Sequence, residues 1–219
     1  CRLSDAYLRC ADRMVEEGEK AKAAKIYAAL DAPEEPRPVQ LAAKQGRLDT
    51  ADDLAALILR GLGSDDDDAR RLAAGAITQL EGDAAMKQLA TKFNDLPPSG
   101  QVLLVDGLAA LGDGSAMEVA LTAVKSEDPQ VKQAGFRALG KLGDASVVPL
   151  LTETMFAGGE LSGVARESLT RVFGKGVNEA ILAAMQKQDD PNRRAQLIDI
   201  LNKRKAVGAV PALLAEAAA

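Results

Sequence analysis

Residues 128–151 read DPQVKQAGFRALGKLGDASVVPLL. Asp128-Pro129 opens a helix: Asp is a strong N-cap, and Pro in the first turn lacks only an N–H that has no intrahelical partner there. Val131, Ala134, Ala138, Leu139 and Leu142 then recur at helical spacing. Gly143-Asp144 ends the run, with Gly143 expected in the left-handed conformation that follows many helices. A second helix starts near Ser146 and carries Val147, Val148, Leu150 and Leu151. A hairpin of about 25–30 residues cannot close a core alone, so it needs copies to stack on.

The copies are present. Steps of 31 from Pro129 reach Pro98, Asp67, Pro36 and Asp5 backwards, then Glu160 and Pro191 forwards, all residues suited to a helix start. Leu142 maps to Leu111, Leu80 and Phe173, and Gly143 to Gly112 and Gly174. Leu151 maps to Ala120, Leu89, Ile58 and Tyr27, then to Leu182 and Leu213, so that column is apolar throughout. The period fills the chain and predicts an all-α fold of about seven helical hairpins.

The pattern D-P-x-V-x-x-A…A-L-G-x-L-G-D-x-x-V-V-P-L-L at 128–151 resembles the HEAT repeat, in the 31-residue bacterial form of phycobilisome lyases. The resemblance is strongest over 97–156, more eroded over 36–93 and 159–216, and weakest over 4–31. It implies a right-handed α-solenoid of the HEAT and armadillo kind. The first hairpin is also similar to a tetratricopeptide repeat, through Tyr7, Gly18, Ala23, Tyr27 and Leu30. The expected organisation is a capping hairpin over 1–35, a HEAT solenoid over 36–216 and a vector-derived tail at 217–219.

Composition fits this reading. The chain is 47% hydrophobic with four Phe, two Tyr and no Trp, so Ala and Leu must supply close helix–helix contact. Net charge is −5, and residues 1–110 carry all of it, with 14 Lys/Arg against 19 Asp/Glu; residues 111–219 balance 13 against 13. Basic clusters are confined to Arg70-Arg71, Arg193-Arg194 and Lys203-Arg204-Lys205, read as solvated faces or helix C-termini. Nucleic-acid binding needs a basic face and is not expected. No segment approaches the roughly 18 apolar residues of a membrane span, so no membrane insertion is expected. Cys1 and Cys10 would lie about 13 Å apart on one helix, too far to bridge. Cys10 is expected in the core. A chain that opens on Cys rather than Met is expected to have been trimmed.

Further along the chain, DAPEEPRP at 31–38 reads as a stiff connector. A helix from 36 is expected to end at Gly46, with Asp49-Thr50 capping the next over 50–61. Asp65-Asp66-Asp67-Asp68 lacks the alternation and central glycine of a calcium loop and reads as helix capping. Asp52-Asp53, Asp189-Asp190 and Glu34-Glu35 also fall at helix starts or connectors. At Phe156-Ala157-Gly158-Gly159 the register is expected to shift by one, since Ala138-Leu139 matches Ser168-Leu169 at 30 rather than 31. Met155 and Phe156 are expected to be partly exposed there.

Histidine is absent, which removes Ser-His-Asp and Cys-His catalysis and the His-Glu iron sites of HEAT-type hydroxylases. There is no CxxC and no phosphate loop. No enzyme activity, catalytic residue, metal site or cofactor is expected. In solenoids of this resemblance the second helix of each hairpin lines the concave face. Counting two residues past the Leu151 column, and four before those, the expected partner-binding residues are Arg60, Lys87, Thr91, Glu118, Thr122 and Glu153. Small residues follow at Pro149, Ala180, Ala184, Pro211 and Ala215.

The resemblance therefore implies a non-catalytic scaffold or adaptor that binds a protein or peptide. The alternative is a chaperone-like subunit of a bilin chromophore lyase. Exported or periplasmic placement in a bacterium is compatible with it. The apolar last segment, GAVPALLAEAAA, is expected either to continue into more chain or to self-associate.

Overall fold

Side-chain caps set the helix starts. Asp128 accepts hydrogen bonds from the N–H groups of Gln130 and Val131 at 2.9 and 3.0 Å, and Asp190 accepts one from Asn192 at 2.8 Å. The computed structural model describes residues 2–112, 116–211 and 214. Among them are thirteen α-helices and no strand. The contacts divide the chain into two compact units, residues 1–107 and 108–219.

In the first unit, α1 (Arg2–Glu16) and α2 (Lys20–Leu30) form one hairpin, α3 (Arg37–Asp49) and α4 (Leu54–Leu62) the next, and α5 (Asp67–Ala76) and α6 (Asp83–Lys92) a third. Most of α7 (Pro98–Leu111) completes it. First helices stack on first helices, α1 on α3 on α5, and α4 stacks on α6, giving two helical layers. In the second unit, α8 (Ala116–Ala123) packs on α9 (Pro129–Leu142). The helices α10 (Val148–Ala157), α11 (Glu160–Arg171), α12 (Val177–Gln186) and α13 (Pro191–Lys203) continue the same arrangement, with α9, α11 and α13 in one layer and α10 and α12 in the other. Each unit is thus an α-solenoid stack.

The predicted column forms the core. Tyr27, Ile58, Leu89, Ala120 and Leu151 are all buried. Each Leu or Ile so placed contributes on the order of 1.5–3 kcal/mol of hydrophobic stabilisation. Leu213 lies outside the described residues.

Past α10 the register departs from 31. Gly158 and Gly159, at φ +77° and +75°, leave a link of only two residues between α10 and α11. Such angles suit glycine, which has no Cβ to clash. The core then slips by one residue through the whole hairpin: Leu169, Val177, Ile181 and Met185 are fully buried, 30 residues after Leu139, Val147, Leu151 and Met155. Two expectations fail for this reason. Val172, not Phe173, takes the late position of α11, leaving Phe173 85% exposed; Ile181, not Leu182, takes the Leu151 column. A link of four residues at 187–190 restores the register, so Leu201 follows Leu169 by 32.

Five other expectations are corrected. Gly46 does not end α3, which runs on to Asp49; it lies inside the helix because a Cβ there would enter the Tyr27 ring. The cap of α4 is Asp53, which accepts from Ala56 N at 2.9 Å, not Asp49. Gly143 is extended, at φ −71° and ψ 162°, and its missing Cβ leaves room for Val147. Cys10 is exposed, because the buried stripe of α1 runs through Ser4, Leu8 and Ala11. Met155 is likewise core, while Phe156 is half-buried.

Candidate functional site

Position along each second helix decides which side chains face open space. In the first unit Arg60 sits in the last turn of α4 and is exposed. It lines three clefts: one between α3, α4 and α5, one beside Ala24 and Asp53, and one with Gln88 and Lys92 of α6. Lys87 and Thr91 of α6 are exposed but border none of these; Gln88 and Lys92, one position on, do. The Thr91 hydroxyl is spent on its own helix, donating to Lys87 O at 2.8 Å.

In the second unit the same bond recurs 31 residues on, from the Thr122 hydroxyl to Glu118 O at 3.0 Å. Thr122 is half-buried and Glu118 exposed, and neither borders a described groove. Glu153 does. It stands on α10 between two grooves, one of about 620 Å³ shared with α12 and one of about 750 Å³ shared with α9 and α11. Of the six expected partner-binding residues, Arg60 and Glu153 border these clefts and grooves, and Lys87, Thr91, Glu118 and Thr122 stand outside them.

The α10–α12 groove is walled by Val148, Pro149, Phe156, Ala180, Ala183 and Ala184. Arg193 from the start of α13 lies over the Phe156 ring, 5.0 Å from its centroid, a cation–π distance that fixes both at the groove's end. Arg193 Nε is also 3.8 Å from Asp190, while Lys187 opens onto the groove. The buried Thr152 hydroxyl at this wall has no hydrogen-bond partner, a cost that is uncommon in a packed interior.

The first unit is built on charge instead. Arg37 on α3 spans to the α5 N-terminus, donating to Asp66 at 2.6 and 3.1 Å and to Asp68 at 3.0 Å. Arg37 holds the Asp66 carboxyl down to about 2, helped by the Asp68 N–H, and its own pKa rises in return. Asp68, between Arg37 and Arg71, is also lowered. The four-aspartate run is thus used in capping and ion pairing: Asp66 is the N-cap of α5, accepting from Asp68 N at 3.0 Å. Asp31, at the end of α2, binds Lys44 with one oxygen and Arg47 with the other. Tyr27 donates to Asp12 at 2.6 Å; burial first and this bond second raise its pKa well above the ordinary value.

Arg204 shows what sequence reading missed. Expected on a solvated face or at its own helix C-terminus, it donates to carbonyls of another helix, Leu169, Thr170 and Val172, at 3.2, 3.0 and 2.6 Å and to Asn178 at 2.8 Å. It caps the C-terminus of α11 from the next hairpin, and burial lowers its pKa. No residue pattern in the sequence marks it; in the structure Lys205 beside it is the one non-glycine residue at positive φ among those described.

Residues 86–170, from α6 to the end of α11, match the family model for HEAT repeats. That stretch contains the 128–151 hairpin and the α10 wall of the groove. No curated protein matches the chain significantly. Among the described residues no helix is long and apolar enough to cross a membrane.

Proposed function

We propose that the protein is a non-catalytic interaction scaffold that receives a protein or peptide segment on the second-helix face of its hairpins. One observation carries this reading: the groove of about 620 Å³ between α10 and α12, with small apolar walls and an aromatic held at one end. Such a surface offers shape and apolar area with few directed polar groups, which suits side chains of a partner more than a reacting substrate. Its α10 wall lies within the HEAT repeats, a fold commonly used for protein interaction. Glu153 on the shoulder supplies a charge for orientation, and Arg60 does so in the first unit. Slipped register makes Glu179 and Ala183, rather than Ala180 and Ala184, the counterparts of Pro149 and Glu153.

The test is capture from source extract on the immobilised chain, with Ala183→Arg as a second bait and Lys132→Glu as a third. Cross-links mapped to α10 and α12, lost with Ala183→Arg and kept with Lys132→Glu, support the reading. Capture that is equal on all three baits overturns the groove. A free bilin that binds with a visible absorbance shift would instead favour the chromophore-lyase subunit.

A further inference from the structure

The first unit carries the whole net charge of −5, yet one cleft within it is positive. It lies between α3, α4 and α5, holds about 180 Å³, and is walled by Leu48, Leu57, Leu72 and Ala73. Three cations, Lys44, Arg47 and Arg60, border it against a single carboxylate, Asp31. Asp31 divides its two oxygens between Lys44 and Arg47, so it neutralises only one of them. Asp66 comes within 4.0 Å of Lys44 but is already held by two nitrogens of Arg37. Arg60 makes no hydrogen bond or ion pair with any described residue. The cleft therefore has an apolar interior and unspent positive charge at its border.

We propose that this cleft takes the carboxyl-terminal residue of a partner chain, with its side chain among the leucines and its α-carboxylate against Arg47 and Arg60. The volume fits one large apolar side chain, since a cavity of about 150 Å³ accommodates a benzene ring. An apolar side chain and a carboxylate on the same residue occur only at a chain's C-terminus; an internal Asp or Glu brings the charge without the apolar group. Arginine's planar fork matches a carboxylate with two parallel hydrogen bonds. Terminal-carboxylate capture is a known mode of peptide recognition. The inference rests on the scaffold reading but not on the α10–α12 groove.

The experiment titrates the full chain with three peptides: N-acetyl-Ala-Ala-Leu as the free acid, the same peptide as its amide, and N-acetyl-Ala-Ala-Glu-amide. The readout is the NMR shift of the arginine Nε–H groups and of the Leu57 and Leu72 methyls. The free acid is expected to shift Arg47, Arg60 and both leucines saturably, and the amide to bind about tenfold more weakly. Arg60→Gln should lose a similar factor for the free acid only, Arg60→Lys should keep part of it, and Arg71→Gln should change nothing. Equal binding of acid and amide, or no effect of Arg60→Gln, overturns the proposal. Preference for the glutamate peptide moves the site to internal carboxylates and also overturns it. If no peptide binds while capture through α10–α12 persists, this cleft falls and the scaffold reading stands.

Discussion

The two units share one repeat and hold it together differently. Between α3 and α5 the first unit relies on side chains that reach across: Arg37 to Asp66 and Asp68, and Lys44 and Arg47 to Asp31 on α2. The second also has long side chains that reach across, Arg166 to Asp199 and Arg204 to the end of α11, and beside them small residues that let helices touch. Gly135 lies against the start of the 124–128 link, and Gly140 against Ser168, whose hydroxyl donates to Phe136 O at 2.8 Å. Close approach occurs in the first unit as well, where Gly61 lies against Ala73 and Gly100 against Leu62 O, so the units differ in how densely ion pairs join their first helices. At the surface, a cleft bordered by three cations lies in the first unit, and the α10–α12 groove of the second has small apolar walls. Helix periodicity fixes where a contact falls, while side-chain size decides which force operates in it.

The largest test of this contrast is Leu169→Ala, which empties a fully buried site in the second unit. It should cost about 2–5 kcal/mol in urea unfolding, and hydrogen exchange should report the loss within 108–219 rather than uniformly. Uniform loss would mean that the units do not respond separately.

Arg204→Met should come next. Three carbonyls of α11 would lose their donor, for about 2 kcal/mol of destabilisation read by thermal unfolding. An unchanged melting curve would show that water replaces the guanidinium there.

Gly46→Ala tests the first unit's tightest fit and should cost about 1–3 kcal/mol through overpacking against Tyr27. Tyr27→Leu in the same chain should recover part of that loss, and a strictly additive double variant would sink the pairing.

The smallest effect is in pH. Asp66 titrates near 2 when folded, against its ordinary value of 3.8. Its contribution is therefore complete above about pH 4 and is lost as pH falls towards 2. Acid titration should destabilise the first unit across that window, and Arg37→Gln should flatten the slope. A slope unchanged by Arg37→Gln would show that the Arg37 pairs do not set the acid sensitivity of the first unit.

The fold was legible because it rests on period. Asp128 and Asp190 as caps, the buried column from Tyr27 to Leu151 and the slip at Ser168-Leu169 are all properties of spacing. The candidate site was legible only in part. Counting along the helix reaches Arg60 and Glu153 beside clefts, whereas on α6 Gln88 and Lys92, each one position past Lys87 and Thr91, line one. Residue type makes both Gly46 and Gly143 helix stops; Gly143 does follow the last residue of α9, whereas Gly46 lies inside α3, where the Tyr27 ring requires it.

Sequence alone determined that this chain is a stack of helical hairpins, since capping chemistry and apolar spacing are local and repeat. Tertiary structure alone decided which polar groups are spent and which remain. Arg204 is consumed by carbonyls of another helix, Asp31 is shared between two cations, and Arg60 has no hydrogen-bond or ion-pair partner among the described residues. Those outcomes depend on distances between residues 13 to 35 apart in the chain, because electrostatic and hydrogen-bond energies act through space rather than along the sequence.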